Sequence, residues 1–195
     1  MRPALILLAL VVPAAASAQT APTTADPAQV AACVAPDKPV SARLPELFVA
    51  LRAAESEAHS YPLEDAIWRE WVVAPNPQAQ TLLDDGMRRI RLSDFEGAER
   101  HFDRLIALCP GYAEGFNQRA YARFLQGRLD HSLEDIQEAL MREPKHFAAL
   151  SGRVRILFQQ GRIGLAQQAL AEAVEIHPWL RERRKLPLEP VENDT

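Results

Sequence analysis

The two cysteines, Cys33 and Cys109, are the residues whose chemistry is easiest to anticipate. In an oxidising compartment an isolated pair of cysteines is expected to form a disulfide. Such a bridge would hold the segment around Cys33 against the end of a helix that stops before Pro110. The alternative is a small buried Cys109 and a free Cys33 thiol. Because the sequence has no Cys-x-x-Cys motif, the pair does not indicate a redox enzyme.

The five histidines are scattered, and none lies three or four residues from another histidine or from a cysteine. A helix that binds a metal ion usually places two ligands at that spacing, so no metal site is predicted. The sequence also lacks a nucleophile elbow, a phosphate-binding glycine loop and a His-Glu-x-x-His motif, so neither catalysis nor a cofactor is predicted. We expect surface or turn positions for His59, His101, His131, His146 and His177.

The composition is that of a folded domain without affinity for nucleic acid. The chain has 195 residues, of which 48% are hydrophobic and 25% are charged, and its formal net charge is −4. This length suits one domain with a substantial core. Because an acidic chain has no broad basic surface to neutralise phosphates, we expect no nucleic-acid partner.

The N-terminus has the features of a secretory signal peptide. Arg2 precedes an apolar run from Ala4 to Val12, and small residues follow as far as Ala18. We predict a signal peptide at residues 1–18, which would bring the mature chain to the periplasm of a Gram-negative bacterium without stable membrane insertion. An uncleaved anchoring helix is the alternative. Prolines then predict an extended leader at residues 19–43.

Three prolines at a constant spacing reveal an internal repeat. Pro110, Pro144 and Pro178 are separated by 34 residues each. A repeat of this length that ends in proline is typical of a helix–turn–helix unit, which must stack on its neighbours to bury its apolar face. The sequence thus predicts an all-α superhelix. Apolar residues recur in the same register, for example at Phe102, Ile136 and Leu170.

Small residues predict how the helices of a unit meet and turn. Gly86 and Ala98 mark the crossing of the two helices in the first unit, since only small side chains allow two helix backbones to approach closely. Gly127 and Gly161 favour the left-handed conformation that ends a helix. Asp94 is suited to cap the helix that follows it.

The three units 79–112, 113–146 and 147–180 resemble tetratricopeptide repeats, which have small, aromatic or aliphatic residues and a closing proline at these places. The resemblance implies a solenoid that binds other proteins and catalyses nothing. Arg89 and Arg123 stand where this family often has tyrosine, so we expect the contacts between adjacent units to be more solvated there.

The resemblance also implies that the first helix of each unit lines a concave groove. The groove positions carried over to this chain are Met87, Ile90, Asn117, Tyr121, Phe124, Ser151, Arg155 and Phe158. Recognition of a C-terminal carboxylate would need polar or basic groups where the chain has Leu83, Met87 and Gly152. An apolar, aromatic groove is suited instead to a hydrophobic segment or an amphipathic helix. Alternatively, some of these side chains pack against neighbouring helices or the leader.

The segments that flank the repeats are less regular. Residues 44–78 predict a helical pair with Pro62 in the first turn of its second helix. This pair is either a degenerate fourth repeat or an unrelated hairpin that caps the stack. Trp179 and Leu180 are expected to cover the last unit, and residues 181–195 are predicted to form a short charged cap and tail.

Two functions fit this architecture. The first is a non-catalytic adaptor of the bacterial cell envelope, which binds a segment of a partner protein in the concave groove. The alternative is an accessory subunit that is built permanently into an envelope complex through the C-terminal end around Trp179 and Leu180. An enzyme of unknown type is a weaker alternative, because no residue pattern supports it.

Overall fold

The computed structural model describes Cys33 and residues 43–185, of which 43–185 form eight α-helices, one 3₁₀ helix and no β-strand. None of these helices is long and apolar enough to cross a membrane. The predicted signal peptide, the predicted leader apart from Cys33 and Arg43, and residues 186–195 lie outside the described residues. The helices are α1 (Leu44–Arg52), α2 (Glu57–Trp71), α3 (Pro77–Arg91), α4 (Phe95–Leu108), α5 (Ala113–Leu125), α6 (Leu129–Arg142), α7 (Phe147–Gln159) and α8 (Ile163–Ile176), followed by the 3₁₀ helix (Arg181–Arg184).

Helices α3 to α8 form three pairs that stack on one another. The pairs are α3 with α4, α5 with α6 and α7 with α8, called repeats 1, 2 and 3, and each repeat packs against the next. The first helices of the repeats, α3, α5 and α7, also contact one another along one side of the stack. The predicted all-α superhelix is therefore confirmed.

The two helices of repeat 1 meet at Gly86, as the small residue there predicts. A Cβ atom on Gly86 would lie 2.4 Å from the nearest carbon of the Phe102 ring, which is fully buried. In repeat 2 the two helices are joined by a buried hydrogen bond of 2.7 Å, which the Ser132 hydroxyl donates to the Ala120 carbonyl. Close approach of the backbones thus depends on small side chains at the crossing.

The turns inside the repeats follow the sequence prediction. Gly127 and Gly161 have φ angles of 74° and 72°, in the left-handed region that glycine tolerates best. At the equivalent place in repeat 1 a serine, Ser93, adopts φ 58°. Asp94 then starts α4, because its carboxylate accepts a hydrogen bond of 2.9 Å from the Gly97 backbone amide.

The contact between repeats 1 and 2 is less solvated at Arg123 than predicted. The Arg123 side chain is only 13% exposed, and it pairs with Glu99 on α4 and Asp135 on α6 at 2.8 and 2.9 Å. Carboxylates on both flanking helices compensate the buried guanidinium, so the arginine does not need water there. Arg89, which pairs with Asp94 and is 46% exposed, is solvated as expected.

Helices α1 and α2 form a hairpin that does not extend the stack as another repeat would. The apolar cluster of the hairpin contains Phe48, Leu51, Ile67 and Trp71, and it is completed by Phe147 at the start of α7. Helix α1 also contacts α8. The hairpin therefore packs against repeat 3, although repeat 1 follows it in the sequence. Whether the hairpin is a degenerate repeat or an unrelated helical pair stays a prediction.

Pro62 lies inside α2, so its predicted position in the first turn is wrong. The helix begins five residues earlier, at Glu57. Ser56 caps this start, since its side chain accepts a hydrogen bond of 3.3 Å from the His59 backbone amide. A proline in the second turn deprives only the carbonyl of Ala58 of its helical partner. The serine cap thus determines where the helix starts.

The C-terminal cap covers the last repeat only in part, because one of its two apolar residues contacts the hairpin. Leu180 packs on Leu150 and Ala173 of repeat 3, as predicted. The indole of Trp179 instead donates a hydrogen bond of 2.8 Å to the carbonyl of Ala54, between α1 and α2. The C-terminal end of the stack is therefore joined to the hairpin.

The predicted disulfide between Cys33 and Cys109 is present, with the two Cα atoms 5.1 Å apart. Both cysteines are buried in the core cluster of repeat 1. The bridge fixes residue 33 at the C-terminal end of α4 across 76 residues of sequence.

Candidate functional site

The concave side of the stack contains a cavity of about 470 Å³ between the first helices of the repeats and the hairpin. Cavities of roughly 300–1,000 Å³ are the ones that bind small-molecule-sized ligands or short stretches of peptide. The lining residues are Trp68 from α2; Met87, Ile90 and Arg91 from α3; Asn117, Gln118, Ala120, Tyr121 and Phe124 from α5; Ser132 and Ile136 from α6; and Ala148, Ser151, Gly152, Arg155 and Ile156 from α7.

Seven of the eight positions predicted for the groove line this cavity: Met87, Ile90, Asn117, Tyr121, Phe124, Ser151 and Arg155. Phe158 does not line it, and 47% of its side chain is exposed. The lining residues of α7 run from Ala148 to Ile156 at steps of three and four, which defines one face of a helix. Phe158, three residues after Arg155, continues this face but lies beyond the end of the cavity. That the seven residues bind a partner remains a prediction.

Several lining residues were not predicted. Arg91, Gln118, Gly152 and Ile156 lie next to predicted positions on the same helix faces, so helical spacing alone was enough to find them. Trp68 is different, because it comes from the hairpin. Nothing in the repeat pattern indicates that the hairpin would form one wall of the groove.

A buried carboxylate fixes two polar side chains of the cavity floor. Glu114 is 1% exposed. It accepts hydrogen bonds from the Asn117 amide at 3.1 Å and from the Gln118 amide at 2.6 Å. The third partner is His146 Nε2 at 2.8 Å, and because His146 Nδ1 accepts a bond from the Ala149 backbone amide, Nε2 carries the proton and donates. The buried carboxylate of Glu114 thus accepts hydrogen bonds from three donors, which compensates its loss of contact with water.

Two of the five histidines are buried, so the expected surface position is wrong for them, although both flank helix ends. His146 and His177 are 0% and 1% exposed. The His146 ring stacks on Trp71 with 3.9 Å between the ring centroids. His177 Nε2 lies 3.0 Å from a carboxylate oxygen of Glu64 on α2. Burial lowers the pKa of His177, and the neighbouring Glu64 carboxylate opposes this shift only in part. Both imidazoles therefore join the hairpin to repeat 3.

Two arginines are the only charged residues among those that line the cavity. Arg91 comes from α3 and Arg155 from α7, and no aspartate or glutamate lines the cavity with them. Within residues 43–185, neither guanidinium forms an ion pair. The guanidinium of Arg155 lies 4.9 Å from the centre of the Phe124 ring, which orients it by a cation–π contact.

The cavity offers apolar surface, amide groups and guanidinium groups, which suit reversible binding. Among the described residues, no group of three or more histidine, cysteine, aspartate or glutamate side chains is arranged to hold a metal ion.

Curated proteins that resemble the chain carry the repeat in their names. A TPR repeat-containing protein of Rhizobium etli is 32% identical over 136 residues, which cover 70% of this chain and 67% of that protein. Tetratricopeptide repeat protein 36 of Xenopus tropicalis is 38% identical over 86 residues, which cover 44% of this chain but only 41% of the frog protein. No protein-family model matches the chain.

Solved structures with the same arrangement of helices show the fold. The TPR domain of Sgt2 from Aspergillus fumigatus superposes with a TM-score of 0.51 at 21% identity, covering 53% of this chain and 68% of that one. The TPR2AB domain of yeast Sti1, in a complex with pHSP90, gives a TM-score of 0.52 at 20% identity, covering 66% of this chain and 50% of that one.

Proposed function

The chain belongs to the tetratricopeptide repeat family, and from this premise we propose that it is a non-catalytic adaptor that binds a segment of a partner protein in its concave groove. Stacked helical repeats create extended concave surfaces that such proteins use for binding. The Sti1 domain that shares the fold is in a complex with pHSP90, which is a fact about that protein and sets no partner for this one.

The observation that supports this proposal is the aromatic, largely apolar cavity on the concave side. Tyr121 is 42% exposed and lies beside Phe124 on the middle helix of the groove. Partly exposed aromatic side chains in a concavity are favourable anchors, because they bury a large area at a small cost in side-chain entropy. A partner side chain that enters the cavity would complete the burial of this surface.

The proposal is tested by crosslinking followed by a pull-down from cell-envelope extract, with quantitative mass spectrometry. We expect one or more proteins that are recovered with the wild-type chain and lost with the double variant Tyr121→Ala and Phe124→Ala. The matched control is Phe158→Ala, since Phe158 is also an exposed aromatic residue of a groove helix but does not line the cavity. Equal recovery with the double variant and the wild type would exclude the groove as the binding site.

We further propose that the adaptor works in the cell envelope, on the outer side of the inner membrane. The predicted signal peptide at residues 1–18 supports this location. The Cys33–Cys109 disulfide also supports it, because such bonds persist in oxidising compartments and are rare in the cytosol. Cell fractionation, combined with counting of free thiols in the denatured, unreduced protein, tests the proposal: two free thiols, or a cytosolic protein, would contradict it.

Docking through the C-terminal end, the alternative function, is disfavoured. Leu180 is 7% exposed, and the Trp179 indole is hydrogen-bonded to Ala54 of the hairpin. Both side chains are thus engaged within the chain. Deletion of residues 178–195 would release the hairpin as well, so the groove variants above are the cleaner test.

A further inference from the structure

The groove carries a charge pattern that defines its occupant more closely, if the proposed function is accepted. We propose that the groove binds a short internal peptide segment in which bulky apolar side chains stand next to acidic ones. The proposal rests on the aromatic lining of the cavity, on the wall that the hairpin adds to it and on two lining arginines that form no ion pair within residues 43–185.

The hairpin forms one wall of the groove. Trp68 of α2 lines the cavity and also packs in the cluster of the hairpin with Ala148, at the start of α7. The groove is therefore bounded by the hairpin where α7 begins. The cavity of about 470 Å³ has room for a few side chains of a partner segment.

The charges of the groove call for carboxylates on the partner. The chain as a whole has a net charge of −4, yet the cavity lining has two arginines and no acidic residue. The buried carboxylate of Glu114 is already satisfied by Asn117, Gln118 and His146, so it does not neutralise the two arginines. A guanidinium presents paired N–H donors that match a carboxylate in geometry and charge.

Residues of three helices meet in the same cavity. Arg91 is on α3 and Arg155 on α7, and α5 lies between these helices with Tyr121 and Phe124 lining the cavity. The guanidinium of Arg155 lies 4.9 Å from the centre of the Phe124 ring, so a carboxylate that pairs with Arg155 comes close to an apolar side chain that packs on that ring. Apolar and acidic side chains of the partner are therefore expected next to each other in the segment.

The experiment uses a random heptapeptide library displayed within a loop of a carrier protein, so that no peptide has a free C-terminus. The library is selected against the purified wild-type protein, the single variants Arg91→Gln and Arg155→Gln, and the double arginine variant that combines them. It is also selected against the double aromatic variant, Tyr121→Ala with Phe124→Ala. Arg104→Gln is the matched control, because Arg104 is exposed on α4, away from the cavity, and unpaired among the described residues. Enriched sequences are then synthesised as acetylated, amidated peptides, and their affinity is measured by fluorescence anisotropy.

With the wild type and Arg104→Gln, we expect enrichment of Asp or Glu beside Phe, Trp, Leu or Ile. Each single variant should reduce the acidic preference and weaken binding about tenfold, which corresponds to 1.4 kcal/mol. Enrichment of apolar peptides without acidic residues would overturn this inference, and so would an acidic preference that survives in the double arginine variant. Either result would leave the groove as a binding site. No enrichment over the variant Tyr121→Ala and Phe124→Ala would overturn the proposed function as well.

Discussion

Two junctions between helices differ in the kind of side chain that they bury. The ionic junction joins repeats 1 and 2 through Glu99, Arg119, Arg123 and Asp135. The hairpin junction joins α2 to repeat 3 through Trp71, His146, Phe147 and His177. The first consists of ion pairs between consecutive helices, whereas the second consists of stacked, tilted and edge-to-face ring contacts between segments far apart in the sequence.

The ionic junction depends on complete pairing. The Asp135 side chain is 3% exposed, and it accepts two hydrogen bonds from Arg119, at 3.0 and 2.6 Å, and one from Arg123, at 2.9 Å. Burial of charges is costly, and an ion pair repays that cost only when its geometry is good and its remaining polar atoms are satisfied. This junction therefore fixes the spacing of the two repeats, and removal of one member leaves the charges of the others only partly compensated.

The hairpin junction depends on apolar area. The Trp71 ring lies 3.9 Å from the His146 ring and 4.9 Å from the Phe147 ring, measured between centroids. Aromatic side chains bury large areas and contribute most where they are fully enclosed. Because Trp68 of the same helix forms a wall of the cavity, the strength of this junction also determines the shape of the groove. The ionic junction thus determines how the repeats stack, whereas the hairpin junction determines the wall of the groove.

The largest effect is expected from Trp71→Ala. Truncation of a buried tryptophan usually costs about 3–5 kcal/mol, because apolar contacts are lost and a cavity remains. We expect this loss in guanidinium denaturation, together with faster hydrogen exchange in α1 and α2 than in the repeats. Val49→Ala, on the 71% exposed Val49 of the same hairpin, should stay within about 0.5 kcal/mol. A loss below about 1 kcal/mol for Trp71→Ala would mean that the hairpin junction contributes little.

A smaller effect, of about 3 kcal/mol, is expected from Asp135→Asn. The substitution keeps the shape of the side chain but leaves Arg119 and Arg123 without their shared carboxylate, and breaking a buried pair costs about 3–5 kcal/mol. We choose the lower end because both arginines keep a second partner, Asp103 and Glu99 respectively.

The control for Asp135→Asn is Glu138→Gln. Glu138 is 42% exposed and pairs with Arg142 in the same helix, a contact expected to contribute under about 1 kcal/mol. Both variants are compared with the wild type by urea denaturation. Equal effects from the two would show that burial adds nothing to the ionic junction.

The same contrast explains what the sequence predicted. The 34-residue period and the small residues at Gly86 and Gly127 can be read from the sequence, so they predict the stack. The groove positions, seven of which line the cavity, came from the resemblance of the units to tetratricopeptide repeats. The pairing of Arg123 was missed because a periodic pattern shows which face a residue occupies but not which charges meet it there. The contact of Trp71 with His146 was missed for a stronger reason. The hairpin is outside the repeat, and no local signal links segments that approach only in the folded chain.

A helix crossing inside one repeat is a reference against which both junctions are compared. In Gly86→Ala the added methyl group would meet the Phe102 ring at 2.4 Å, and overpacking of this kind costs about 1–3 kcal/mol. We therefore expect the free energy of unfolding, measured by chemical denaturation, to fall by about 2 kcal/mol. Gly164→Ala is the matched control in α8, where nothing lies within 4 Å of the added carbon, and it should stabilise the chain by up to about 1 kcal/mol. A neutral Gly86→Ala would mean that the crossing in repeat 1 relaxes easily.

Mild acid should weaken the hairpin junction before the ionic one. Burial lowers the pKa of His177 below its ordinary 6.5, and this outweighs the opposing carboxylates of Glu64 and Glu182. Below about pH 6.5 the His177 side chain binds a proton more readily in the unfolded chain than in the folded one. The free energy of unfolding therefore falls as the pH drops below that value. In the ionic junction burial raises the pKa of Glu99, but hydrogen bonds from Arg123 and Gln126 hold it below 4.5.

The contribution of Glu99 is therefore present at pH 5.5 and is lost only as the pH falls below about 4.5. Between pH 7.5 and 5.5 we thus expect a decrease in stability carried by His177, of at most about 1.4 kcal/mol per pH unit for one proton. Urea denaturation of the wild type and of His177→Gln at both pH values measures it. The variant should lose part of the pH dependence, because glutamine does not titrate. The protection factors for hydrogen exchange in α2, which are corrected for the intrinsic pH dependence of amide exchange, should fall at pH 5.5 only in the wild type. Identical pH dependence in the two proteins would show that His177 does not carry the acid sensitivity, and the two junctions would then no longer differ in their response to pH.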